Sequence, residues 1–195
     1  MTRKLFDRPR TPIRHLLAGT TAQGQVAVGG WARTVRRGKE VTFIALNDGS
    51  CLANLQLVLE PSLPHYEQLA KASTGACLLA TGELVPSPAP GQPWELKVCQ
   101  AQLLGDADAD YPLQKKRHSF EYLRTIAHLR PRSNTFGAVF RMRSALAFAV
   151  HRFFQERGFL YVQTPIITAS DCEGAGEMFR VTTLPPADPP RTEKG

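Results

Sequence analysis

The sequence predicts an all-β barrel of five strands and one short helix, followed by the opening helix and strand of a second, α+β unit. Three observations carry this reading. Short β-rich stretches separated by turn chemistry run from Gln25 to Leu104, a single long apolar-faced helix pattern runs from Asn134 to Arg157, and an acidic loop, Gly105–Asp110, lies between them. A chain of 195 residues has room for one small domain and part of another.

In chain order, Gln25–Trp31 alternates apolar and small residues and contains the pair Gly29-Gly30, which permits a bulge or sharp bend. Val41–Leu46 is the second strand. Asn47-Asp48-Gly49-Ser50 follows as a hairpin turn, because Asn, Asp and Gly tolerate positive φ. Leu52–Leu59 completes a three-stranded meander. Pro61 and Pro64 break the pattern before a short helix starting at Tyr66, and Ala76–Gly82 and Trp94–Cys99 are the last two strands. Pro86–Pro93 lacks too many backbone donors to continue a sheet. Three strands, a helix and two strands is the order of an OB-fold, the five-stranded barrel that commonly binds oligonucleotides. Beyond the acidic loop, Asn134 is placed to cap the long helix and Gly158 to end it. Phe159–Ile167 then reads as a strand in which Pro165, with no N–H, belongs at an edge or an interface.

Composition narrows the function classes. Hydrophobic residues make up 43% of the chain and charged residues 21%, which suits a globular protein. No apolar run is long enough to span a bilayer and the start lacks a signal-peptide core, so a cytoplasmic protein without membrane contact is expected. Cys51, Cys77, Cys99 and Cys172 stand singly, without the spacing of a zinc site, so no metal ligand is assigned. The net charge of +7 favours a polyanionic partner. It is concentrated in two clusters. Met1–His15 holds five basic residues against Asp7, and Pro112–Arg132 holds six against Glu121.

Several runs carry a family resemblance. Gly30–Arg37, Phe43–Gln56, Tyr111–Ser119 and Leu129–Asn134 resemble the anticodon-binding domain and hinge of asparaginyl-tRNA synthetases. The helix from Asn134 and the segment Thr164–Phe179, with its run Ser170-Asp-Cys-Glu-Gly-Ala-Gly-Glu-Met-Phe179, are similar to class II motif 1 and the loop after it. Aspartyl enzymes share the architecture, but the wording of this run favours the asparaginyl form. The resemblance implies a basic N-terminal extension (1–24), an OB-fold anticodon-binding domain (25–105), a hinge (106–130) and a partial class II catalytic domain (131–195). It also implies ATP-dependent attachment of asparagine to tRNA(Asn) by a homodimer that uses ATP and Mg2+. The sequence to Gly195 contains neither motif 2 nor motif 3, so the chain by itself is expected to bind neither ATP nor Mg2+ well and to be inactive. The alternative is a freestanding OB-fold that binds tRNA or other nucleic acid without ligase activity.

By the same resemblance, Phe43 stacks on an anticodon base while Arg36 and Gln56 read base edges. Lys115 and Lys116 of the hinge contact tRNA phosphates. Glu173 pairs with the ammonium of asparagine, Ser170 adds a neighbouring hydroxyl, and Pro165 lies at the dimer interface. These residue types suit the work. Base–aromatic stacking contributes roughly 1–3 kcal/mol per base, and a carboxylate accepts charge-assisted bonds from a cation.

Overall fold

Period-two burial builds the wall of the barrel. In β2 (Thr42–Asn47) the buried residues Thr42, Ile44 and Leu46 alternate with half-buried Phe43, Ala45 and Asn47, and in β3 (Leu55–Leu59) Leu55, Leu57 and Leu59 alternate with Gln56 and Val58. Side chains of one parity therefore fill the interior and those of the other form the outer surface. Together with β1 (Gln25–Arg37), β4 (Cys77–Pro86) and β5 (Trp94–Gly105), these strands close in the order β1-β2-β3-β5-β4. The β3–β5 pair is parallel and the other pairs are antiparallel. Closure leaves no free sheet edge to recruit another chain. The computed structural model describes residues 9–19, 24–168, 179, 181–185 and 187–188.

Two helices complete the core. Helix α1 (Ile13–Leu17) inserts Ile13 and Leu16 into the barrel cluster with no exposed surface, and α2 (Tyr66–Ala70) adds Tyr66 and Leu69. Each fully buried Ile or Leu contributes roughly 1.5–3 kcal/mol relative to exposure, so α1 is an integral part of the fold. Its first turn is tied to the β2–β3 loop, where the Ile13 amide donates to Asp48 Oδ2 at 2.8 Å and the Arg14 amide to Ser50 Oγ at 3.0 Å. The buried Thr42 and Tyr66 hydroxyls satisfy each other at 2.9 Å. Gly30 is required by a close approach, because a Cβ there would lie 2.5 Å from the Asn47 carbonyl oxygen.

Several elements differ from the sequence reading. Strands β1, β4 and β5 run on to Arg37, Pro86 and Gly105. The turn at Asn47 is a longer loop, so β3 starts at Leu55 rather than Leu52. Asn47 holds that loop, donating from Nδ2 to the Ala53 carbonyl at 2.9 Å and accepting the Gly49 amide at 2.8 Å. Helices α1 and α3 (Phe120–Thr125) were not expected. The long helix α4 (Asn134–Gln155) is capped by Ser133, one residue earlier than expected, with the Phe136 amide donating to Ser133 Oγ at 3.3 Å. Residues 159–168 form no strand, since no ladder partner for them is present among the described residues.

The chain divides into two compact units, Met1–Ala147 and Phe148–Gly195. In the first, the segment after the barrel packs through buried Leu113 and Leu123. In the second, α4 ends in a Schellman arrangement. Gly158, at φ 81°, donates to the Gln155 carbonyl, and the Phe159 amide donates to the Phe154 carbonyl at 3.2 Å. The accompanying contact is a T-shaped Phe154–Phe159 ring pair with centroids 5.4 Å apart. Phe148, Val150, Leu160, Val162, Ile166 and Ile167 of this unit are exposed. No helix among the described residues is long and apolar enough to cross a membrane.

Candidate nucleic-acid interface

Pairing register assembles the site on the outside of the barrel. Arg36 of β1 faces Phe43 of β2, Ala45 of β2 faces Gln56 of β3, and Gln56 faces Glu95 of β5. Cross-strand neighbours share a face, so Arg36, Phe43, Gln56 and Glu95 project from one continuous surface. Strands from distant parts of the sequence supply what no single segment could.

Phe43 is half-buried and outward-facing, not a member of the interior cluster. The Arg36 guanidinium lies over its ring, 5.0 Å from the centroid. That cation–π contact contributes roughly 0.5–1 kcal/mol at an exposed site, and it occupies a ring face on which a base would stack. Gln56 Nε2 donates to Glu95 Oε2 at 3.2 Å. Glu95 is buried, with only 6% of its surface exposed, although its strand parity places it on the outer face. The Pro86–Pro93 loop accounts for this, because Ser87 Oγ donates to the same carboxylate oxygen at 3.2 Å. The sequence reading missed both Glu95 and Ser87. Glu95 does stand in an alternating strand, but its pairing with Gln56 is a parallel contact across 39 positions that periodicity cannot show.

The second basic region borders an open cleft of about 1550 Å3 within the first unit, between the β2–β3 loop, the segment from Tyr111 and the start of α4. Lys115 and Lys116 line it and are exposed. Arg132 stacks over Trp31 at 4.6 Å, Arg33 donates to the Arg132 carbonyl and to Asn134 Oδ1, and Arg141 donates to the Gly49 and Ser50 carbonyls. Part of the positive charge in this region is therefore used to tie the start of α4 to the barrel. Lys115 and Lys116 stand apart from Arg36, Phe43 and Gln56 in the fold, lining the cleft and not the strand face.

In the β2–β3 loop, burial alone would raise the Asp48 carboxyl. Hydrogen bonds from Ser50 Oγ and from the Ile13 and Ser50 amides outweigh it and hold the group below its ordinary value. At the start of α3, the backbone and the Ser119 side chain lower the Glu121 carboxyl, which is fully exposed. Glu173 and Ser170 lie outside the described residues, and so does Cys172. Pro165 is exposed in irregular backbone of the second unit. Among the described residues no cluster of three or more His, Cys, Asp or Glu side chains could hold a metal ion.

Comparison with known proteins gives this geometry a setting. Residues 26–104 match a family model described as an OB-fold nucleic acid binding domain, and residues 119–187 match that of the class II tRNA synthetases (D, K and N). Over 184 residues the chain is 65% identical to an asparagine–tRNA ligase of Geobacter metallireducens and 64% identical to that of Geobacter sulfurreducens. Each alignment covers 94% of this chain but 40% of the relative, so the chain spans about two-fifths of the length of these curated relatives. In fold, it is similar to the crystal structure of asparaginyl-tRNA synthetase from Pyrococcus horikoshii complexed with asparaginyl-adenylate. The TM-score is 0.74 at 18% identity, over 89% of this chain and 40% of that one. The chain belongs to the asparagine–tRNA ligase family and corresponds to its N-terminal portion, an OB barrel followed by the opening of the class II synthetase domain.

Proposed function

We propose that this chain supplies anticodon recognition to an asparagine–tRNA ligase, through the outward face of β1, β2, β3 and β5. The observation that supports it most is the convergence of a stacking ring, a guanidinium and a carboxylate-held amide on that one face, with Arg36 over Phe43 and Gln56 bonded to Glu95. An aromatic platform accepts any base, whereas amide and guanidinium groups read base edges. An incoming base displaces Arg36 from the ring and frees its guanidinium to read a base edge. Lys115 and Lys116 neutralise the tRNA backbone, which positions the partner without specifying sequence.

The reaction served is ATP-dependent activation of asparagine and its transfer to tRNA(Asn), in the cytoplasm and by a homodimer. Pro165 and the exposed apolar side chains of the second unit are proposed to face the partner subunit, because a patch of that kind is costly when left in water. Glu173 and Ser170 are proposed to meet the substrate ammonium. No step is assigned to Mg2+, and the 195 residues alone, which contain neither motif 2 nor motif 3, are proposed to form no asparaginyl-adenylate. Asparagine-dependent pyrophosphate exchange tests that last statement, and exchange above a no-enzyme control would contradict it.

Equilibrium binding to an anticodon stem-loop tests the central reading. The chain is expected to prefer the tRNA(Asn) stem-loop over one altered at the central anticodon base, and Gln56→Ala is expected to remove much of that preference. Equal binding of both stem-loops by the parent would overturn the reading.

A further inference from the structure

The loop between β2 and β3 is gripped from two sides. Helix α1 holds its side chains: the Ile13 amide donates to Asp48 Oδ2 at 2.8 Å and the Arg14 amide to Ser50 Oγ at 3.0 Å. Helix α4 holds its main chain: Arg141 donates to the Gly49 carbonyl and, at 3.4 Å, to the Ser50 carbonyl. The fit on that side is close, since a Cβ added to Gly137 of α4 would meet the Leu52 side chain at 3.4 Å.

Ser50 joins the two grips, taking α1 on its hydroxyl and α4 on its carbonyl. Asp48 sets Ser50 in place, with one carboxylate oxygen accepting the Ser50 amide at 2.9 Å and the Ser50 hydroxyl at 2.6 Å while the other accepts from Ile13. One loop shape therefore satisfies the α1 amides and the Arg141 guanidinium together. Two elements that bind the same conformation of a third strengthen each other's hold, and the effect is reciprocal.

We infer that Asp48 is a positioning residue for α4: by fixing the shape of the β2–β3 loop, it makes the docking of the opening helix of the class II portion depend on the docking of α1. The dependence bears on function because the loop also joins the strands that carry Phe43 and Gln56. The N-terminal helix, the outward strand face and the class II portion meet at these few residues. The inference stands on this geometry alone and holds whether or not the strand face reads an anticodon.

Amide hydrogen exchange on the 195-residue chain tests it, read while the Ile44 and Leu57 amides of the barrel wall remain unexchanged, so that only local opening is seen. Arg141→Ala releases α4 and is expected to speed exchange at Ile13 and Arg14, in the other helix, by about fivefold or more, the low end of coupling between linked sites. Asp48→Ala is expected to speed exchange in the first turns of α4, Gly137 among them, by a similar factor, and Asp48→Asn, which keeps an acceptor oxygen, to fall between it and the parent. In the double variant Asp48→Ala with Arg141→Ala, the rise at Gly137 should be smaller than the product of the two single rises, because both remove the same coupling. Arg152→Ala, whose guanidinium pairs with Glu156 of the same helix end at 2.7 Å, should alter neither α1 nor Gly137. Parent-like exchange at Ile13 and Arg14 in Arg141→Ala, or single rises that simply multiply, would overturn the proposal. Should Asp48→Ala unfold, Ser50→Ala replaces it: the carbonyl for Arg141 stays while the hydroxyl is lost, and unchanged exchange at Gly137 in that folded variant overturns the proposal as well.

Discussion

Replacing Phe43 by alanine separates stacking from packing, because the ring stands on the outer surface of β2 while Thr42 and Ile44 on either side point inward. The barrel core is untouched, so the variant should fold with a loss within the ~1 kcal/mol span of strand propensities. For binding, a stacked base contributes roughly 1–3 kcal/mol. Against this stands the Arg36 guanidinium, 5.0 Å from the ring centroid, which the base must displace at a cost of roughly 0.5–1 kcal/mol. The net loss for Phe43→Ala is therefore about 0–2.5 kcal/mol, with a mid-range of about 1.2 kcal/mol, or about eightfold in Kd. Fluorescence anisotropy with a labelled anticodon stem-loop at several salt concentrations measures it, and thermal unfolding by circular dichroism checks the fold. The salt slope should not change, because every phosphate keeps its basic partner. A folded Phe43→Ala that binds like the parent would show that the ring only packs against its neighbours and that this face does not stack a base.

Lys115→Ala and Lys116→Ala should act in the opposite manner, weakening matched and mismatched RNA alike and reducing the salt slope by about one for each phosphate left without a basic partner; a change in discrimination instead would contradict their backbone role. Leu16→Ala, at a fully buried position of α1, should destabilise the chain by about 2–5 kcal/mol in denaturant unfolding. A loss below about 1 kcal/mol would mean that α1 is dispensable. Asp48 has its folded-state pKa depressed below the ordinary 3.8. Its contribution is therefore present above that value and is lost as pH falls through the lower folded-state value. The thermal midpoint of the parent should fall more steeply on acidification in that range than that of Asp48→Asn, and parallel profiles would contradict the assignment.

The barrel was legible in the sequence because its strands alternate and its breaks are chemically marked. Thr42, Ile44 and Leu46 against Phe43, Ala45 and Asn47 announce a two-sided strand on their own. Helix α1 was not legible, since Ile13-Arg-His-Leu-Leu17 is only five residues and draws its stability from the pocket it fills and from Asp48, 35 positions away. The expected strand at Phe159–Ile167 has the composition of one, but composition supplies no ladder, and the described residues contain no partner for it. In the candidate site, Phe43, Arg36 and Gln56 were found through family resemblance, and the structure places them on one face. Glu95 and Ser87 were missed because their meaning depends on the parallel β3–β5 register and on how a proline-rich loop folds back. Charge counting located the basic segment Pro112–Arg132, yet it could not show that Arg132 is engaged with Trp31 whereas Lys115 and Lys116 remain exposed.

Anticodon reading is assigned above all to the outward face of β1, β2, β3 and β5. Amide chemical shifts followed while the tRNA(Asn) anticodon stem-loop is titrated into the isotopically labelled chain test this most directly. The predicted result is a set of perturbations centred on Arg36, Phe43, Ala45, Gln56 and Glu95, with weaker ones at Lys115 and Lys116, and the central set should diminish when the central anticodon base is changed. Perturbations confined to the basic segment around Lys115, identical for both stem-loops, would contradict it.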